Sequence, residues 1–333
     1  MNSVSSRFSR RQALWLMGGL ASSLALHACS QSSSSQSTPL ISGVNPWTGH
    51  SGHYVATGKN LFKEEGIDVQ EVFFQSASES ITGFLAGRVD IAWVTSGDAI
   101  EMIHKDPTIR MIYVVDYSDG SDGMIGRGIQ KPQDLKGKTI ARENLLFENV
   151  LLRAYLDKGG LTEQDITIKD MTAADSATAF AAKRVDAAVS YEPWLTKAAK
   201  EGGGEVIFST KGTNLIADVI ATRQKVIETR KADVLAYLRA VDKAVKQVNA
   251  GDAAAIDLVA SKLNVSKEEA KAQFAGVKIL DLNDNKTMAF NSADPNNVMK
   301  NFQITLKTAV DMKLIPSPID LNALYDDSLV KSL

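Results

Sequence analysis

Phe84-Leu85-Ala86-Gly87-Arg88-Val89-Asp90-Ile91-Ala92 returns 96 positions later as Phe180-Ala181-Ala182-Lys183-Arg184-Val185-Asp186-Ala187-Ala188. In each copy a helical stretch ends, passes a basic turn, and enters Val-Asp and a short apolar strand. The first strand runs out into Val94-Thr95-Ser96-Gly97-Asp98, the second into Ser190-Tyr191-Glu192-Pro193-Trp194. Open α/β sheets hold ligands at the carboxyl ends of their strands. Two such units predict two lobes of like build with a cleft between them.

Outward from these units the β-α alternation continues. Leu40 to Val44 reads as a strand, Gly52 to Lys63 as a helix, Ile67 to Phe74 as a strand and Ala77 to Leu85 as a helix. Ile109 to Val115 is a further strand, and Asp134-Leu135-Lys136-Gly137-Lys138-Thr139 opens a new unit with a turn. Helix Leu146 to Lys158 and strand Ile166 to Asp170 lead into the second copy. Val219-Ile220-Ala221 reads as a strand returning to the first lobe, which helices from Ala232 onward complete. Such alternation implies α/β lobes with mostly parallel sheets and crossover helices. The expected division is lobe 1 at 40–125 plus 218–333 and lobe 2 at 126–217.

The first 28 residues read as a sorting signal. Arg7, Arg10 and Arg11 form a basic region, and the uncharged run Ala13 to Leu26 has 14 residues, short of the roughly 18 a membrane span needs. Leu26-His27-Ala28-Cys29 reads as a lipobox ending at the only cysteine, and Ser9-Arg10-Arg11-Gln12-Ala13-Leu14 as a twin-arginine signal. The Ser- and Gln-rich segment through 39 is then a tether. The expectation is an exported protein, lipid-anchored through Cys29 at a membrane facing the periplasm or the cell exterior. With no second cysteine, disulfides and thiolate metal clusters are excluded.

Asn60-Leu61-Phe62-Lys63-Glu64-Glu65-Gly66-Ile67-Asp68-Val69, the first Val-Asp unit, Leu135-Lys136-Gly137-Lys138-Thr139 and Tyr191-Glu192-Pro193-Trp194 occur in order. In these the chain, from about 40 to 320, resembles the extracytoplasmic solute-binding proteins named for nitrate, alkanesulfonate, taurine and thiamine-pyrimidine-precursor binding. The resemblance implies a type II-like periplasmic-binding-protein fold that closes on a small molecule. It also implies partners, an ABC permease and its ATPase, with the binding protein itself a monomer. The same superfamily includes pyrimidine synthases that use cysteine and histidine motifs, and the absence of cysteine beyond position 29 argues against that enzyme reading.

Five loops are expected at the cleft. The first brings Trp47, Thr48 and His50; the second brings Trp93, Thr95 and Ser96, where Thr95 with Asp98 also fits a plain capping box. The third, Val115 to Gly123, carries Asp116, Ser118, Asp119 and Asp122 and reads equally as an Asx-rich turn. The fourth carries Glu143 and Glu148, which also suit a helix first turn. The fifth carries Tyr191, Glu192 and Trp194, and Asp218 precedes the returning strand.

Acids outnumber bases over these loops, with Arg142 the one fixed cation. Carboxylates in a desolvated cleft repel a nitrate or sulfonate and favour a cation. Paired carboxylates match the donor fork of a guanidinium, and tryptophan can stack on its face. Guanidine uptake, like sulfonate uptake, is associated with the family resembled. The expected ligand is therefore a small nitrogenous cation, guanidinium foremost. Taurine or another aminosulfonate, and a thiamine pyrimidine precursor, are the alternatives.

Other classes find less support. The chain's net charge is −2, and no basic patch interleaved with aromatics points to nucleic acid. His50 and His53 have a spacing that can seat zinc, but the plainer reading puts one near the cleft and one on a helix surface. No Gly-x-Ser-x-Gly elbow or Walker-type loop is present, so neither a catalytic residue, a resident metal nor a cofactor is expected.

Overall fold

The computed structural model describes residues 38–333; the leader, Cys29 and most of the tether lie outside them. Among the described residues eleven strands form two sheets. β1 (Leu40–Val44), β2 (Val69–Phe73), β3 (Ile91–Thr95) and β4 (Ile109–Ser118) belong to the first sheet. β5 (Asp122–Gly126), β6 (Thr139–Arg142), β7 (Thr167–Asp170), β8 (Ala187–Tyr191) and β9 (Glu205–Ser209) make the second. β10 (Ala217–Arg223) and β11 (Val277–Ile279) return to the first, whose order is β11-β4-β10-β3-β1-β2. The second sheet has the order β7-β6-β8-β5-β9.

Most strands of each sheet point one way, as crossover helices require. Of the three exceptions, β11 is an edge strand antiparallel to β4, and the other two mark the crossings. β10 runs antiparallel between β3 and β4, and β5 runs antiparallel between β8 and β9. Each strand that follows a crossing is thus inserted inside its sheet and not at an edge, which ties the two lobes by two interior strands. β5 pairs in the second sheet, so the chain leaves the first lobe between Ser118 and Asp122 and not at the expected 125/126. The segment read as an acidic loop is in fact the end of β4, a short crossing and the start of β5.

Both strands with the Val-Asp signature are buried, Ile91 to Trp93 and Ala187 to Val189 being fully enclosed between helices. Buried parallel strands read as continuous apolar runs for this reason. In both copies the Asp side chain after Val binds a backbone N–H of the neighbouring strand: Asp90 that of Ile41 at 2.9 Å, Asp186 that of Thr139 at 2.9 Å. The repeat therefore encodes a strand-start clamp used once per lobe. The expected helix Gly52–Lys63 is two, Ser51–Gly58 and Leu61–Glu64, because Asn60 takes a left-handed conformation with φ 59°. Helix Lys231–Asn249 covers the first sheet, its fully buried Tyr237 lying against Phe62 and Trp93. Among the described residues no helix is long and apolar enough to cross a membrane.

Candidate functional site

A cavity between the lobes is lined by Asn45, Trp47, His50, Ala77, Val94, Thr95, Asp98 and Asp218 from the first and by Asp122, Phe147 and Tyr191 from the second. About 20 Å³ of it is within reach of the centre of a water-sized molecule. One water needs roughly 10–15 Å³ by the same measure, so the cavity suits a small molecule.

The turn after β1 sets the floor. Trp47 donates its indole N–H to Asp116 Oδ2 at 3.0 Å. A Cβ on Gly49 would lie 1.7 Å from that oxygen and 2.3 Å from the indole nitrogen, so only glycine allows this approach. His50 is buried, with Nδ1 at 3.1 Å from the Asn45 carbonyl. A carbonyl only accepts, so Nδ1 carries the proton and Nε2 is left with a lone pair. Burial first, then the nearby His53, pushes the His50 pKa down to about 3, against the help of the Asn45 bond, and the ring is neutral. Its Nε2 is enclosed and has no protein partner, and the same is true of Asp122 Oδ2, Glu148 Oε1 and the Tyr191 hydroxyl.

Carboxylates surround this space. Burial pushes Asp98 and Asp116 up to about 8 and Asp122 up to about 7. Asp218 also lies well above the usual range, through burial and then the charge of Asp116, which it faces across β10 and β4. Two carboxylates in a dry site cannot both ionise, so this pair holds a proton between them. No lysine or arginine lines the cavity. Arg142, the one cation expected there, does not line it and is tied to Asp170 at 3.2 Å and Glu163 at 3.1 Å.

The remaining residues singled out in the sequence are buried or directed elsewhere. Thr48 donates to Gln273 at 2.8 Å, Trp93 to the Tyr237 hydroxyl at 2.7 Å and Ser96 to Asn301 at 2.5 Å. Ser118 and Asp119 serve the crossing: Ser118 lies 2.8 Å from the Thr210 hydroxyl, and Asp119 accepts from Gly212 N at 2.6 Å. Glu143 and Glu148 lie beside the cavity without lining it. Glu192 and Trp194 are corrected outright. Tyr191 ends β8 facing the cavity, so the next side chain turns to the opposite side, and Glu192 caps Thr196 within a separate groove that also borders Lys200. Trp194 lines the neighbouring outer groove with Lys197. Asn45, Ala77, Val94, Asp98 and Phe147 were not foreseen as lining. Thr95 does cap its helix by accepting from Asp98 N, but its hydroxyl, not its backbone N–H, donates to the Asp98 carboxylate, so only half of the expected capping box forms; that reading masked the second role of Asp98.

His53 is fully buried, not on a helix surface. Its Nδ1 is 3.0 Å from the Tyr237 hydroxyl and its Nε2 3.3 Å from Glu71, turned away from His50's free nitrogen. Among the described residues no group of three or more His, Cys, Asp or Glu is placed to hold a metal ion.

Two lobes tied by two interior strands, with a cavity between them, define the architecture of a periplasmic binding protein. The family model described as NMT1/THI5 like matches residues 47–255, and the chain belongs to that family. A Bacillus subtilis (strain 168) protein with the provisional name aliphatic sulfonates-binding protein is 28% identical over 277 residues, covering 82% of this chain and 80% of that one. The alkanesulfonate-binding protein SsuA of Xanthomonas axonopodis pv. citri, solved bound to MOPS, superposes with a TM-score of 0.73 at 18% identity, over 86% of this chain and 98% of that one. The periplasmic aliphatic sulphonate binding protein SsuA of Escherichia coli gives 0.71 at 18%, over 87% and 92%.

Proposed function

We propose that the chain is the substrate-binding protein of an ABC importer, that it is exported and lipid-anchored through Cys29, and that it captures a small nitrogenous cation, guanidinium foremost, by lobe closure. One observation carries the ligand reading. The cavity offers unpartnered acceptors, His50 Nε2 and Asp122 Oδ2, beside two more buried carboxylates and no basic side chain. Guanidinium is the complement of such a wall, being flat, positively charged and all donor. Trp47 and Tyr191, edge to face at 6.0 Å, add aromatic surface next to it.

The names of the sulfonate-binding relatives favour a second reading, an alkanesulfonate or taurine. A sulfonate needs donors, and the lining supplies few. Isothermal calorimetry of the purified protein against guanidinium, taurine and methanesulfonate tests the two. Guanidinium heat with silent sulfonates is the expected result; tight sulfonate binding without guanidinium heat overturns it.

A further inference from the structure

Three helices begin at the cleft, and each gives one first-turn N–H to a buried carboxylate of the chain itself. Ser76 caps helix Ala77–Leu85 by accepting from Glu79 N, and Thr172 caps helix Ala173–Ala181 by accepting from Asp175 N. That leaves the first-turn donors ahead of those positions. Glu143, buried and just past β6 in the second lobe, takes one from each. Its Oε1 accepts from Ser78 N at 3.1 Å and from the Ser78 hydroxyl, and its Oε2 accepts from Ala173 N at 3.3 Å. Ser78 belongs to the first lobe and Ala173 to the second, so one carboxylate spans the cleft. Helix Leu146–Lys158 has an apolar N-cap, Leu145, with no side-chain cap of its own. Asp98 of the first lobe serves it instead, accepting from Leu146 N at 3.3 Å.

Converging helix N-termini are where an anion binds, through free N–H groups and the positive ends of the helix dipoles. We propose that Glu143 is a built-in anion that sets the charge of the ligand. It occupies the point where the two N-termini converge, draws the lobes together there, and denies that point to an anionic solute. The cavity beside it is then left to a cation. This rests on the cationic reading above only for what fills the cavity; the role given to Glu143 stands on its own contacts.

The test is calorimetry of the wild-type protein and Glu143→Ala with inorganic sulfate and methanesulfonate, and separately with guanidinium. Wild type should bind neither anion measurably, and Glu143→Ala should gain affinity for at least one by about tenfold or more. A residue that only supported the fold would not create anion affinity on removal. Should Glu143→Ala fail to fold, Glu143→Gln keeps the shape, removes the charge, and should gain anion affinity in the same direction. A folded variant whose anion affinity equals that of wild type overturns the proposal, as does tight sulfate binding by wild type. Guanidinium failing to bind wild type while the variant gains sulfate removes the cationic reading and leaves the role of Glu143 standing.

Discussion

At the scale of single residues, the site turns on which carboxylates face the cavity. Asp122 does, with Oδ2 unpartnered, and Glu192 does not. Replacing Asp122 by Asn removes charge at nearly constant shape. A charge-assisted bond to a desolvated ligand is worth about 1.5–3 kcal/mol, so guanidinium affinity should fall roughly tenfold to hundredfold. Glu192→Gln should leave it unchanged. Calorimetry on the two variants checks both, and a large loss with Glu192→Gln would return that residue to the site. Trp47, His50, Thr95, Asp122, Tyr191 and Asp218 could be read from the sequence because strand ends and their following turns face the cleft. Glu143 and Glu148 were named with them, but that backbone N–H groups answer them was not legible. A buried acid looks the same in sequence whether a ligand or a backbone N–H answers it, and Glu148 answers the Glu143 N–H at 2.7 Å.

At the scale of elements, the duplicated Val-Asp unit and most helices and strands were legible because each carries apolar periodicity, whereas β5, β11 and helix Trp194–Gly202 were not read. The return of the chain at β10 was read, but the place of the first crossing and the antiparallel direction of both inserted strands were not. A strand inserted antiparallel has the same apolar content as its neighbours, and only pairing reveals its direction. The acid-rich segment 116–122 misled for this reason: its three aspartates are distributed to the cavity floor, the crossing and the cavity wall. The turn between β1 and helix Ser51–Gly58 depends on Gly49 in a way that spacing does not announce. Gly49→Ala places a methyl group inside contact distance of Asp116 and the Trp47 indole. Overpacking of this kind costs on the order of 1–3 kcal/mol, and it should break the Trp47–Asp116 bond. The variant should melt several degrees lower and bind guanidinium less well; an unchanged melting temperature would show that the turn can rearrange.

At the scale of the whole molecule, attachment and closure are separable. Cys29 precedes the described unit, so Cys29→Ala should move the protein from the membrane pellet to the soluble fraction with guanidinium affinity intact. Recovery in the pellet would sink the lipid anchor. Closure is held by cross-lobe contacts on several sides, among them Lys200 with Glu269 and Asp98 with Leu146. It also gathers carboxylates that resist ionising together, which couples binding to protons. The folded-state values of Asp98 and Asp116 near 8 and Asp122 near 7 lie above the ordinary carboxylate range of about 4. Between those limits the native state keeps protons that the unfolded chain has released. The ligand-free protein should therefore lose stability as pH rises from about 4 to about 8. A bound cation reverses the balance. It favours the charged carboxylates, lowers their pKa values and expels protons, so affinity should rise from about pH 6 to about pH 8, by at most about tenfold per pH unit for each proton displaced. An anionic ligand would instead take up protons and bind more weakly at high pH. Calorimetry at about pH 7 in two buffers of different ionisation heat reads the sign directly: proton release on guanidinium binding is the expected result, and proton uptake would show that the buried carboxylates are not the ligand's counter-charge.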